Sequence, residues 1–334
     1  MSLANKYRPQ TFDTIIGQMH ITEILKAQMS NNRQTHHNYL LFGPRGTGKT
    51  TAARILAKAI NCLNNTDGNP CNECENCRII NEGKSLDYVE IDAASHTGVD
   101  NIREEILDKA AYPPAMLKKK IYVIDEVHML SKGAFNALLK TIEEPRDNVC
   151  FILATTELQK VPETIISRCQ VFNFKKVDKQ EISKHLKRII EQEQLTSTDA
   201  AIDLIAKISE GCVRDAVKYV DQVSILGDID EEHIVKFLGV ASDVLIQDFL
   251  ALIQAGETAK TLQKVDELHS QGIDLHNFAK QTLMYIDSIF LQDIIFSTKI
   301  SEIFTDIISN LRQHPYPTII YKIAIQKHLA PSKD

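Results

Sequence analysis

The stretch that most constrains this chain is Asn38-Tyr-Leu-Leu-Phe-Gly-Pro-Arg-Gly-Thr-Gly-Lys-Thr50, an apolar run that breaks into a glycine-rich turn and then into helix-compatible residues. Tyr39 to Phe42 read as a strand and Thr51 to Ile60 as a helix. Between them Gly43, Gly48, Lys49 and Thr50 fill the spacing G-x-x-x-x-G-K-[ST] of a P-loop. Glycines let successive backbone N–H groups curl inward toward phosphate oxygens, and the new helix turns its positive end to the same anion. The turn residues Gly43, Gly46, Thr47 and Gly48, with Thr51 behind them, are the expected cradle. Lys49 is placed to reach the β and γ phosphates of ATP, and the Thr50 hydroxyl to ligate Mg²⁺.

A second acidic site belongs to the same ion. Lys120-Ile-Tyr-Val-Ile-Asp-Glu126 is a buried-strand pattern ending in two acids, a Walker B motif. Asp125 is expected to hold Mg²⁺ through its water shell and Glu126 to polarise the attacking water. The next strand, Asn148 to Ala154, delivers Thr155 and Thr156 to the same sheet edge. Thr156 is the choice for a residue that senses the γ-phosphate or orients the water. His128 invites a helicase reading through Asp-Glu-Val-His, but the rest of the chain does not resemble a second motor domain. His128 is read as a packed residue beside the site.

Cys62, Cys71, Cys74 and Cys77 give C-x8-C-x2-C-x2-C, and four thiolates suit tetrahedral Zn²⁺. A closed set of four leaves no open position for a substrate, so the segment reads as a structural knuckle. Cys150, Cys169 and Cys212 read as ordinary thiols. Seven cysteines, no apolar run of bilayer length and an N-terminus without a signal peptide's apolar core point to a cytosolic protein with reduced thiols and no membrane contact. A net charge of −6 argues against a wholesale basic coat for duplex DNA but leaves a local phosphate-binding strip open. With 334 residues the chain has room for two or three domains.

Beyond Asp178 no strand run is obvious. Helices read at about Lys179 to Glu193, Ser197 to Ile208, Val213 to Val223 and Glu231 to Leu238. Longer amphipathic helices follow Ser242, with Leu250, Ile253, Val265, Leu268, Phe278, Ile286, Phe290 and Ile294 on their apolar faces.

Lys-Tyr-Arg-Pro near the N-terminus, the P-loop, the four cysteines, Asp-Glu-Val-His-Met-Leu, Asn-Ala-Leu-Leu-Lys-Thr-Ile-Glu-Glu-Pro, Ser-Arg-Cys and Gly-x-x-Arg-Asp-Ala together resemble the gamma/tau family of bacterial DNA polymerase III. The resemblance covers nearly the whole chain. It implies an α/β AAA+ nucleotide-binding domain over residues 1–177, with a parallel sheet flanked by helices and the knuckle inserted at 62–77. An all-α lid over 178–240 and an all-α collar over 241–334 would follow. In such a family Tyr7, Arg8 and Pro9 line the base and ribose side of the pocket. Arg214 reaches the γ-phosphate of its own subunit, and Arg168 acts as an arginine finger in a neighbour's site. The implied partners are the delta and delta-prime subunits, further gamma/tau copies, the sliding clamp and primer-template DNA, with ATP, Mg²⁺ and Zn²⁺ as cofactors.

In extent the chain resembles the shorter gamma form, since it ends before the extra domains of tau. Delta-prime shares the zinc site and Ser-Arg-Cys but lacks a working P-loop, and the intact Gly43 to Thr50 decides against it. A branch-migration helicase of the same superfamily and a non-catalytic assembly protein with a structural nucleotide stay open as alternatives.

Overall fold

The computed structural model describes residues 2–30, 36–65, 67–95, 98–311 and 314–329. The C-terminal Ala-Pro-Ser-Lys-Asp lies outside the described residues. The chain forms two compact units, residues 1–189 with 209–218, and residues 190–208 with 219–334. The stretch 178–240 is shared between them.

The first unit is built on β1 (Asn38–Phe42), β2 (Tyr88–Asp92), β3 (Lys120–Asp125), β4 (Val149–Thr155) and β5 (Gln170–Asn173), all parallel in the order β2-β3-β4-β1-β5. The strands read at Tyr39 to Phe42, Lys120 to Glu126 and Asn148 to Ala154 are present within a residue or two of those ends. Because side chains alternate along a strand, the strands inside the sheet feed two cores, while the edge strand β5 buries only Phe172. Tyr39, Leu41, Ile121, Val123 and Ile152 pack on one face with Phe12, Leu25, Ile55 and Leu56. Leu40, Tyr122, Ile124, Phe151 and Leu153 pack on the other with Ile102, Phe135, Leu138 and Ile165. Every residue of β4 is buried, as a strand covered by helices on both faces must be.

Parallel strands all present their carboxyl ends to one edge. There β1 runs into the P-loop helix (Lys49–Asn61), β3 delivers Asp125 and β4 delivers Thr155. Between β2 and β3 the chain is helical from Val99 to Ala110, with a wider turn at Arg103–Leu107, where the Asp108 N–H reaches back five residues to the Arg103 carbonyl.

The second unit is helical. Helices Asp199–Ile208 and Glu231–Leu238 pack together, and five more follow: Asp243–Gln254, Thr258–Ser270, Leu275–Ile289, Ile294–Leu311 and Pro317–Leu329. Ser242 and Asp274 cap two of these helices by accepting the Leu245 and Asn277 N–H groups. Phe249, Phe278, Phe304 and Tyr321 form an aromatic centre, with Phe249 and Phe278 edge to face at 5.2 Å. The Tyr321 hydroxyl donates to the Leu275 carbonyl at 2.6 Å, which satisfies the polar end of a buried ring. Ile294 departs from its expected place on an apolar face. The chain leaves helix after Ile289, so the 3.6-residue register restarts and Ile294 is 56% exposed on a first turn. Among the described residues no helix is long and apolar enough to cross a membrane.

Candidate nucleotide site

The site sits at the carboxyl edge of the sheet and lies wholly within the first unit. Gly43 leaves β1 with φ at 146°, and a Cβ there would lie 2.2 Å from the Phe174 carbonyl oxygen. Only glycine lets the loop start so close to the chain that follows β5. Gly46, at φ 72°, is tight for a second reason: a Cβ would fall 2.1 Å from the Cys212 sulfur.

Lys49 is 6% exposed and donates to the carbonyls of Gly43 at 2.8 Å and Pro44 at 2.9 Å. Burial lowers its pKa, while Glu126 and Asp125 oppose that shift. The Thr50 hydroxyl donates to Asp125 Oδ2 at 2.6 Å, which joins the glycine-rich loop to the end of β3. Glu126 sits in the left-handed region at φ 47°, a conformation a non-glycine residue adopts at a cost of about 1–3 kcal/mol. The outlier turns its carboxylate to the cavity, where Oε2 accepts from the Thr156 hydroxyl at 3.1 Å.

These groups line a cavity of about 380 Å³ together with Tyr7, Arg8, Pro9, Gly46, Thr47, Gly48, Thr51 and Arg214. The structure thus brings the N-terminal Tyr-Arg-Pro, both nucleotide motifs and the Gly-x-x-Arg-Asp-Ala arginine to one hollow. Thr156 stands one residue back from the lining and touches it through Glu126. Arg168 is elsewhere. Its guanidinium meets Glu143 at 2.8 Å and the Thr164 carbonyl at 2.7 Å, about a third exposed, and it is not among the described residues that line the cavity.

Three features escaped the sequence reading. Arg54, on the P-loop helix, forks onto Glu90 of β2 at 2.8 and 2.6 Å, and Tyr88 donates to the same carboxylate at 2.7 Å. Arg54 lies four residues past Thr50, and Tyr88, Glu90 and Asp92 share a strand face, so the two periodicities held the signal. Burial, then the nearby Arg54 and Arg214, lowers the pKa of Arg8. Gln18, fully buried, donates to the Lys175 carbonyl at 2.7 Å and accepts from the Lys175 N–H at 3.2 Å, which fixes the N-terminal segment beside the chain after β5. His128 is packed, as read, but its Nδ1 lies 3.0 Å from the Thr155 hydroxyl and 3.4 Å from Glu126 Oε2, and its Nε2 lies 3.3 Å from Glu157.

The sulfurs of Cys62, Cys71, Cys74 and Cys77 all lie within 4.8 Å of one another. Tetrahedral bonds of about 2.3 Å put sulfurs about 3.8 Å apart, so the set can close on one ion with small adjustments. The Cys71 N–H points at the Cys62 sulfur and the Cys74 N–H at the Cys71 sulfur, each at 3.3 Å, which favours thiolates. Burial would raise the Cys74 thiol, but N–H groups of Leu63 and Cys77 outweigh it and hold it at about 6. Burial pushes Cys150 and Cys169 to about 12 and Cys212 to about 11, so these three stay protonated.

With this geometry in place, comparison with known proteins is specific. Residues 17–178 match the family model described as DNA polymerase III, delta subunit. Residues 181–228 match the DNA polymerase III clamp loader subunit ATPase lid domain, and residues 229–311 match domain III of subunits gamma and tau. Subunit gamma of Buchnera aphidicola subsp. Baizongia pistaciae is 40% identical over 90% of this chain and 81% of its own length. The chain belongs to the DNA polymerase III gamma/tau family. Subunit tau of Bacillus subtilis is 41% identical over 92% of the chain, and that of Escherichia coli 42% over 81%. The chain spans only 56% and 42% of those two proteins. Among solved structures, the Thermotoga maritima RuvB branch migration motor superposes with a TM-score of 0.53 at 21% identity, covering 74% of this chain and 79% of its own. That likeness shows a shared AAA+ fold.

Proposed function

We propose that this chain is an ATP-hydrolysing subunit of the DNA polymerase III clamp loader, acting in the cytoplasm. The observation that carries the reading is the 2.6 Å hydrogen bond from Thr50 to Asp125, because it joins two motifs whose shared purpose is one metal-bound triphosphate. Lys49 exchanges the Gly43 and Pro44 carbonyls for phosphate oxygens when nucleotide enters. Thr50 and Asp125 would hold Mg²⁺, which would supply charge neutralisation to the phosphates. Glu126 takes the role of base toward the attacking water, and Thr156 keeps that carboxylate aimed.

Tyr7, Arg8 and Pro9 face the base and ribose, and Arg214 faces the γ-phosphate. Arg168, turned away from its own cavity, serves the site of an adjacent subunit. The four thiolates hold Zn²⁺ as a structural ion. In this reading the partners are the delta and delta-prime subunits, further copies of this chain, the sliding clamp and primer-template DNA.

The test is ATP turnover with and without primed DNA, on wild type and two variants. Lys49→Ala loses nucleotide affinity or turnover by about 10²–10³-fold, since the phosphates lose a preorganised cation. Glu126→Gln keeps ATP binding and slows hydrolysis by about 10²–10³-fold. Turnover at the wild-type rate in both variants defeats the assignment. ATP binding with no turnover in wild type, with or without DNA and partners, makes the nucleotide structural instead.

A further inference from the structure

The four-cysteine segment and the N-terminal arm meet at a buried lysine. Lys58, on the P-loop helix, is 1% exposed, and its ammonium donates to Gln10 Oε1 at 2.7 Å and to Asn72 Oδ1 at 2.6 Å. No carboxylate pairs with it among the described residues. Its neutral amide partners come from the two segments themselves. Asn72 stands between Cys71 and Cys74 at φ 60° and donates its own amide to the Gln10 carbonyl at 3.2 Å. Gln10 in turn donates to the Arg8 carbonyl at 3.2 Å. A second seam runs parallel: Asn69 Oδ1 accepts the Phe12 N–H at 2.9 Å, and the Asn69 amide donates to Asp13 at 2.7 Å.

Burying an ammonium costs free energy that an apolar side chain would not, so its return is sought in what it positions. Residues 7–11 carry no helix or strand to fix them, yet Tyr7, Arg8 and Pro9 form a wall of the cavity. Beyond the turn that Tyr7 and Arg8 make on Leu3 and Asn5, Lys58 and the loop that the cysteines close hold the arm through Gln10. The phosphate end needs none of this, because Lys49, Thr50 and Asp125 are fixed by the sheet and its helix.

We propose that the four-cysteine segment, acting through Asn72 and the positioning residue Lys58, sets the N-terminal arm against the base side of the nucleotide, so that metal occupancy tunes affinity for the nucleoside and not for the phosphates. The inference rests on the nucleotide reading above. It gives the knuckle a task that a merely stabilising ion would not have.

The experiment compares ATP with inorganic tripolyphosphate on the whole chain, zinc-loaded and after chelation, by equilibrium binding and by amide hydrogen exchange over residues 5–12. Asn72→Gly is the central variant, since glycine accepts φ 60° and removes the side-chain contacts with Lys58 and Gln10, along with one to the Pro70 carbonyl, while leaving the four thiols to hold zinc. Its ATP dissociation constant rises about tenfold, from the loss of a charge-assisted hydrogen bond and its neighbour, with tripolyphosphate affinity within about twofold and zinc content unchanged. Chelated wild type shows the same split, and the arm amides exchange faster in both. Asn72→Asp, which keeps the acceptor for Lys58 and loses only the amide donated to Gln10, binds ATP more tightly than Asn72→Gly.

Equal weakening of ATP and tripolyphosphate overturns the proposal, because it marks general loosening of the site. So does ATP affinity that stays at the wild-type value in Asn72→Gly. Zinc-loaded wild type that binds tripolyphosphate but not ATP, or binds neither, fails at the earlier step and sinks the nucleotide reading itself.

Discussion

The two units hold themselves together by different means. The first unit spends buried positions on polar and charged groups: Lys49, Lys58, Asp87, Asn61 and Gln18 are all under 9% exposed. The second is centred on four aromatic rings and a set of isoleucines, and its few buried polar side chains carry no charge: Thr261 and Thr282 donate to carbonyls one turn back, Gln281 bonds the Ala241 backbone, and the Ser297 hydroxyl has no partner among the described residues. Chemistry accounts for the difference. A site for phosphate needs charges held at fixed places in low dielectric, and each must be matched by designed partners. A unit with no such demand is free to bury apolar surface, which needs no matching beyond shape.

The comparison breaks hardest at Arg168, the residue proposed above to serve a neighbour's cavity and not its own. Arg168→Ala leaves ATP binding by an isolated chain within about twofold, yet cuts DNA-stimulated hydrolysis of the assembled loader on the order of 10³-fold, the scale of a lost arginine finger. A Glu126→Gln subunit, whose finger is intact, restores turnover to a neighbouring Arg168→Ala subunit in mixed assemblies. Wild-type hydrolysis by fully assembled Arg168→Ala would falsify the assignment and leave this residue its local contacts with Glu143, Thr164 and Ser167.

In the second unit the sharpest cut is Phe278→Ala. The ring is fully buried against Phe249 and Tyr321, and its loss costs about 3–5 kcal/mol of that unit's stability. Hydrogen exchange should accelerate in residues 243–329 with ATP affinity of the first unit intact. A several-fold loss of ATP affinity in this variant would show that the two units do not keep separate accounts.

The smallest effect follows acid. Burial would raise the Asp87 carboxyl, but the N–H groups of Leu117, Met116 and Ala115, at 3.0, 2.7 and 3.0 Å, hold it below the usual range. A carboxyl with a depressed folded-state pKa contributes stability above its unfolded value of about 3.9, lost as pH falls through the folded value. Asp87→Asn should therefore cost about 1–2 kcal/mol at pH 7 and progressively less below about pH 4, measured by urea unfolding. A gap between variant and wild type that stays constant from pH 7 to pH 3 would rule out the carboxylate as its source.

The fold was legible because its signals are local. An apolar run followed by Gly43 to Thr50, or one ending in Asp125-Glu126, states its own geometry, and amphipathic spacing located the helices from Lys179 onward. What the residues did not announce were pairings between elements. Arg54 with Glu90, and Lys58 with Gln10 and Asn72, join segments far apart in the chain through residues that individually read as surface polar groups. Ile294 went astray for the opposite reason, since periodicity extended across a break that no glycine or proline marks.

The thiols supply a gauge for handling the protein. Thiolate, and not thiol, attacks an alkylating reagent, so Cys150, Cys169 and Cys212 are muted near pH 7 by the burial that raises them. Cys74 is held near neutrality, and it belongs to the set that would be bound to metal. Labelling speed with a simple maleimide therefore reads how much of a preparation has lost its ion, against a background that the fold itself keeps quiet.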